Sequence, residues 1–260
     1  MNFSSSLKGK SQLFLINSVS NFRDASIGSK MKNNVLFRCA KLSTLSNTDI
    51  QKLEEINLHA IIDFRDPKEI KKAPDNLSSK LEKKYVNLPI SASTLSRMVD
   101  QKNVKGDNVE TYQNVMEESY KLYINNHKHV WKEFIKTLLR SGGKPVIYHC
   151  SAGKDRTGIA SYIIQKLFSN SMDDIFKNYL LSNQLLTTKA ATAEQTTSSN
   201  QDNILVTNIM LDTLAKVKKS YLLSAINEIK NNYSSLEKYI CNELQFDIND
   251  LEKLKKLYSI

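Results

Sequence analysis

Residues 146–158 read VIYHCSAGKDRTG, and no other stretch limits the possible folds of this chain as strongly. An apolar run, Val146 to Tyr148, ends in His149 and Cys150. Small residues and Gly153 follow, and Arg156 opens the amphipathic run RTGIASYIIQKLF. A buried strand entering a glycine turn and then a helix is the repeating step of a parallel sheet covered by helices. In such sheets ligands gather beyond the carboxyl ends of the strands, where this turn is expected to lie.

The flanking sequence fits the same class. QLFLIN (12–17), NVLFRCA (34–40), LHAIIDF (58–64) and KKYVNLPI (83–90) read as strands. LSNTDIQKLEEIN (45–57) reads as a helix capped by Ser46 or Asn47, with Leu53 and Ile56 on its apolar face. Helical spacing dominates from Asn108 to Arg140 and is broken by SGGKP. Two further helices are predicted in RTGIASYIIQKLF and SMDDIFKNYLLSNQLL, and more from about Ile204 to the end. The expectation is a single α/β domain over residues 1–260, with a mainly parallel central sheet flanked by helices. Residues 1–11 are expected to form a flexible N-terminus. The small polar residues of TTKAATAEQTTSSNQDN suggest a mobile connection, and 187–215 is a candidate lid within an added helical segment.

The turn suits an anion. Amides from Ser151, Ala152, Gly153, Lys154, Asp155 and Arg156 can curl round one phosphate at a helix N-terminus. Five residues separate Cys150 from Arg156, which lets the guanidinium return across the ring as a bidentate clamp. The same field favours the thiolate of Cys150, the form that attacks phosphorus. Thr157 is placed to donate to that sulfur, and His149 to orient the loop from behind. Taken singly, each residue has an ordinary structural explanation; strand, HCxxGxxRTG and helix together point to phosphate chemistry. The spacing does not match the phosphate loop GxxxxGK[ST] of nucleotide-binding proteins.

HCSAGKDRTG resembles the signature of the cysteine-dependent tyrosine and dual-specificity phosphatases. Lys154 and Asp155 narrow the likeness to the bacterial atypical tyrosine and lipid phosphatases, the group of mycobacterial tyrosine phosphatase B and the Listeria LipA-type enzymes. NFRD (21–24), LFRCAKLSTLS (36–46), IIDFRDPKE (61–69), YLLSN (179–183) and SYLLSAINEIKNNYSSLEKYI (220–240) resemble further blocks of that group, in order. The resemblance implies a tyrosine-phosphatase-like fold. It implies Cys150 as nucleophile through a phosphocysteine intermediate, Arg156 as phosphate clamp, and no cofactor or metal. Its substrates would be phosphotyrosine proteins, with phosphoserine, phosphothreonine and phosphoinositides as further classes. Lys154 matches a loop lysine of phosphoinositide phosphatases.

The general acid stays open. The chain has no Trp-Pro-Asp loop; its single tryptophan, Trp131, lies in a predicted helix. Asp155 is the first candidate and Asp63 the main competitor, with Asp66 and Asp100 behind them. Asp63 with Arg65 has a purely structural alternative, an ion pair that props the loop, and the same alternative is favoured for Arg23 with Asp24 and Arg38.

Charge points the same way as the motif. A formal net charge of +10 suits anionic partners, an acidic membrane surface among them, although solvated lysines alone would also produce it. Nucleic acid is not the expected partner. Three scattered cysteines, Cys39, Cys150 and Cys241, argue against a disulfide scaffold or a thiolate metal site and for a reducing compartment. The longest early apolar run, LFLI, is too short for a leader or a span, so the expectation is a cytoplasmic protein or one secreted without a cleaved leader. Binding without turnover, and redox or sulfur-transfer chemistry on a similar Cys-x5-Arg loop, are the competing functions.

Overall fold

A computed structural model describes residues 14–91, 109–190 and 215–260. Strands rich in apolar residues are buried along their whole length at the centre of the sheet, as in sheets covered on both faces. Strands β1 (Arg23–Asp24), β2 (Leu36–Cys39), β3 (Ala60–Asp63), β4 (Tyr85–Asn87) and β5 (Val146–His149) lie in the order β1-β2-β5-β3-β4. Only the β1–β2 pair is antiparallel. The expected mainly parallel α/β sheet is therefore present, with one short antiparallel edge that the sequence had not suggested. QLFLIN contributes no strand over its described residues, Phe14–Asn17.

Alternation along the strands divides the core in two. Leu36, Ala60, Ile62, Val146 and Tyr148 face the larger cluster, with Trp131, Phe134, Ile159 and Ile163. The helices on that side are α4 (Val109–Asn126), α5 (Lys128–Ser141), α6 (Arg156–Leu167) and α8 (Lys219–Tyr233). Phe37, Cys39, Ile61 and Ile147 face the smaller cluster, with Leu42, Leu45, Leu53 and Leu81 from the opposite side. There α1 (Asn47–Glu55) starts at Ser46, whose hydroxyl accepts from the Asp49 amide. The helix boundary at SGGKP is explained by Gly142, which ends α5 in the left-handed conformation.

Helix α7 (Met172–Ala190) runs four residues into the segment expected to be a mobile connection. The remainder of the candidate lid, residues 191–214, lies outside the described residues, as do the N-terminal expectation for 1–11 and Asp100. Two short helices, α2 (Pro67–Lys72) and α3 (Ser79–Glu82), fill the crossover from β3 to β4, and α9 (Ile248–Tyr258) closes the chain. Among the described residues no helix is long and apolar enough to cross a membrane.

Register fixes the site. Cys39 pairs with His149, and His149 with Asp63, so the carboxyl ends of β2, β5 and β3 finish level. The Cys150 loop begins at that edge.

Candidate active site

The loop between β5 and α6 is held by its carbonyls. Asn21 Nδ2 donates to the carbonyls of Ala152 and Gly153, each at 2.9 Å. Arg38 Nη2 donates to the Gly153 carbonyl at 2.9 Å. In a trans peptide the C=O of one residue and the N–H of the next point in opposite directions. Drawing these two carbonyls outward therefore turns the Gly153 and Lys154 amides inward, toward the concave side of the loop. Gly153 has a φ of 67°, and an added Cβ would stand 2.0 Å from the Cys39 carbonyl oxygen. Its lack of a side chain is what lets the loop lie against β2.

Asn21 is itself clamped. Arg23 donates to the Asn21 side chain and backbone carbonyl, and to Asn178 O and Ser182 Oγ on α7 at 3.0 Å each. Arg38 Nη1 bonds Asn178 Oδ1 at 3.2 Å. Arg23 and Arg38 thus hold the loop through hydrogen bonds, in place of the ion pair with Asp24 favoured from sequence. The Asp24 carboxylate instead accepts from the amides of Ser26 and Asn34.

Cys150 is buried, and all three cysteines are unbridged. Cys39 packs into the cluster on the opposite sheet face from that of Cys150, which makes it a poor resolving thiol. Thr157 Oγ1 is buried without a hydrogen bond, so the donation to the Cys150 sulfur expected from sequence is not formed here.

Arg156 is set by a residue the sequence reading missed. Glu69 Oε2 accepts from Arg156 Nη1 at 2.6 Å and Oε1 from Nη2 at 2.7 Å. The Phe64 and Ile90 carbonyls accept from the same guanidinium. Ser151 Oγ also donates to Glu69 Oε1, at 2.5 Å. Glu69 is held in turn by the start of α2: Asp66 caps the Lys68 and Glu69 amides, and Glu69 Oε2 accepts from the Asp66 amide. Asp66, a minor acid candidate, is thereby used as a helix cap. The Asp-Pro-Lys-Glu order was readable as a capping box; its reach to Arg156 was not.

Burial alone would raise the Glu69 carboxyl, but the Arg156 bond and charge and the Ser151 hydroxyl bring it from 4.5 down to about 2. Its depressed value means that ionised Glu69 adds stability above the ordinary carboxylate range. That stability is lost as pH falls through about 2. Glu69→Gln should lower kcat/KM by about ten-fold through a loosened clamp. It should also flatten the loss of urea stability between about pH 5 and pH 2. Wild-type kinetics together with an unchanged acid slope would refute the assignment.

Behind the loop, His149 lies between two acids: Nε2 is 3.3 Å from Asp75 Oδ2 and Nδ1 is 3.7 Å from Asp63 Oδ1. Sequence spacing showed no metal-ligand cluster, yet folding gathers Asp63, Asp75 and His149 within 4.8 Å. Arg65 already supplies a cation to both carboxylates, each at 2.8 Å. The Asp63 carboxylate further accepts from the Arg65 backbone amide and the Tyr85 hydroxyl, and is fully buried. Burial would raise Asp75, but His149 and Arg65 hold it below the usual carboxylate range.

Asp155 is arranged differently. It occupies the N-cap position of α6 without bonding the helix amides. Oδ1 accepts from the Tyr120 hydroxyl at 2.7 Å, and Oδ2 lies 3.1 Å from Lys154 Nζ. Of the sequence-predicted residues, Cys150, Ser151, Ala152, Gly153, Lys154 and Asp155 form the loop, and Arg156 and Thr157 open helix α6 directly after it. His149 and Asp63 stand behind it.

Comparisons with known proteins point to one family. The model of a tyrosine phosphatase family matches residues 14–259. A Cupriavidus necator protein named provisionally as a tyrosine-protein phosphatase is 26% identical over 251 residues, covering 95% of this chain and 89% of the relative. The triple specificity protein phosphatase PtpB of Mycobacterium tuberculosis is 24% identical over 248 residues, covering 85% of this chain and 90% of the relative. A tyrosine-protein phosphatase of Nostoc commune is 26% identical over 145 residues, 56% of this chain and 47% of that protein.

Proposed function

The chain belongs to the tyrosine phosphatase family, and from that premise we propose a phosphomonoester hydrolase that works through a phosphocysteine intermediate on phosphotyrosine proteins. The observation that carries this reading is the loop itself. Its carbonyls are tied outward to Asn21 and Arg38 while Arg156 is fixed beside it by Glu69.

Phosphate binds with its oxygens on the inward amides and the Arg156 guanidinium, the donors that also meet the charge of the transition state. The Cys150 sulfur attacks phosphorus and the S–P bond forms as the P–O bond to tyrosine breaks. The leaving oxygen takes a proton from Asp155. Water then attacks phosphorus, gives its proton to Asp155, and releases phosphate and the Cys150 sulfur. Asp155 is favoured over Asp63 because Asp63 is committed to Arg65 and Tyr85, behind the sheet edge. An acid has to reach the leaving oxygen through a short hydrogen bond.

Phosphoinositides are a second substrate class, supported by Lys154 in the loop and by the net charge of +10. Release of phosphate from phosphotyrosyl peptides, phosphoseryl peptides and each phosphoinositide, by wild type and Lys154→Ala, tests both readings. Phosphotyrosyl turnover should survive in both proteins, and phosphoinositide turnover should fall by about ten-fold in the variant, the effect of one lost charge-assisted contact. Absence of phosphotyrosyl turnover in wild type overturns the main reading. Equal phosphoinositide turnover overturns the role of Lys154.

A further inference from the structure

Beneath Asp155 lies a chain of hydroxyls that the reaction as written does not use. Tyr120 OH donates to Asp155 Oδ1 at 2.7 Å, and the Tyr179 hydroxyl stands 2.7 Å from the Tyr120 hydroxyl. Tyr120 is fully buried on α4 and Tyr179 nearly so on α7. A phenol carries one proton. Because Tyr120 spends its proton on Asp155, Tyr179 must donate to Tyr120, so both hydrogen bonds run toward the carboxylate. Gly158 makes room for this chain: a Cβ there would lie 2.8 Å from the Tyr179 ring.

Resting on Asp155 as the acid, we infer that Tyr120, oriented by Tyr179, is a positioning residue. It engages Oδ1 and thereby presents Oδ2, which lies beside Lys154, as the oxygen that carries the proton to the leaving group. Two features support this. Aspartate at a helix N-cap ordinarily accepts from the first-turn amides, and Asp155 forgoes those bonds for the Tyr120 hydroxyl. The hydroxyls are also lasting donors, because burial, then the charge of Asp155, pushes both phenols well above their ordinary range.

The titratable groups around Asp155 are Lys154 from the loop, Tyr120 and Tyr123 from α4, Tyr179 from α7 and Tyr221 from α8. Of these, Tyr120 donates directly to Oδ1 and fixes the orientation of the carboxyl. Loss of orientation should slow poor leaving groups more than good ones, since p-nitrophenolate departs with little help from an acid.

The test measures kcat against pH, and kcat/KM across aryl phosphates of rising leaving-group basicity, for wild type, Tyr120→Phe, Tyr179→Phe and Asp155→Asn. Tyr120→Phe should lose about ten-fold on phenyl phosphate, the effect of one hydrogen bond to a charged group, and about two-fold or less on p-nitrophenyl phosphate. Tyr179→Phe should move in the same direction by less, and it decides the matter if Tyr120→Phe does not fold. Asp155→Asn should lose the basic limb altogether. A wild-type leaving-group dependence in the tyrosine variants, beside an altered Asp155→Asn, overturns the inference alone. An unaltered Asp155→Asn overturns the acid assignment and the inference with it.

Discussion

Cys150→Ser should abolish turnover of p-nitrophenyl phosphate, by at least about 10³-fold, and leave the folded protein able to bind phosphate. The nucleophile follows β5 in a loop tied to Asn21, Arg38 and Glu69, with no hydrogen bond to its sulfur among the described residues. Exchanging sulfur for oxygen therefore leaves the cradle standing. A serine hydroxyl in this loop is a neutral alcohol and so a weak nucleophile toward phosphorus. Stopped turnover with retained binding of orthovanadate or phosphate is the expected combination, read by steady-state kinetics and by calorimetry. If wild type and variant both bind phosphate and neither turns over, the chain is a binding module. If both turn over equally, the nucleophile lies elsewhere. The redox alternative makes a different prediction, since it needs a second thiol within reach; Cys39, turned to the other sheet face, does not meet that need.

The local parts of this site were legible in the sequence. Strand, glycine turn and helix are adjacent in the chain, and their geometry follows from residue types within about a dozen positions. What escaped depends on distant partners. Arg156 meets Glu69 across 87 positions, and Asp155 meets Tyr120 across 35. No short-range pattern encodes either pair. Asp63 illustrates the limit from the other side: its place at the sheet edge was anticipated, and so was an ion pair with Arg65. The choice between acid and prop turned on Tyr85 and Asp75, whose approach only the fold specifies. QLFLIN misled because an apolar run of that length serves equally well as an irregular segment packed on a core, and Phe14 and Ile16 are used in that way. The antiparallel β1 was hidden in NFRD because its two paired residues, Arg23 and Asp24, are charged and buried. They pair with Arg38 and Phe37 of β2.

Gly153→Ala should disable the enzyme through its backbone alone. A methyl group at this position would meet the Cys39 carbonyl oxygen at 2.0 Å, its carbon at 2.2 Å and the Ala40 nitrogen at 2.6 Å. All three are main-chain atoms of β2 and its exit, so no rotamer change relieves the contact. The left-handed φ of 67° adds strain for any residue with a Cβ. Relief requires the loop to lift from β2, and that pulls the Gly153 carbonyl away from Asn21 and Arg38. The inward amides lose their orientation together with the carbonyls. Left-handed strain and overpacking together should cost about 2–5 kcal/mol of stability, and kcat/KM should fall by at least about 100-fold. Gly142→Ala is the matched control. Gly142 has a φ of 60° but nothing within 4 Å of its Cβ position, so it isolates the backbone strain from the collision. Its stability should fall by about 1–2 kcal/mol with activity kept. Urea unfolding and steady-state kinetics on the two variants separate the effects, and a Gly153→Ala protein with the activity of Gly142→Ala would show that the loop does not need its close approach to β2.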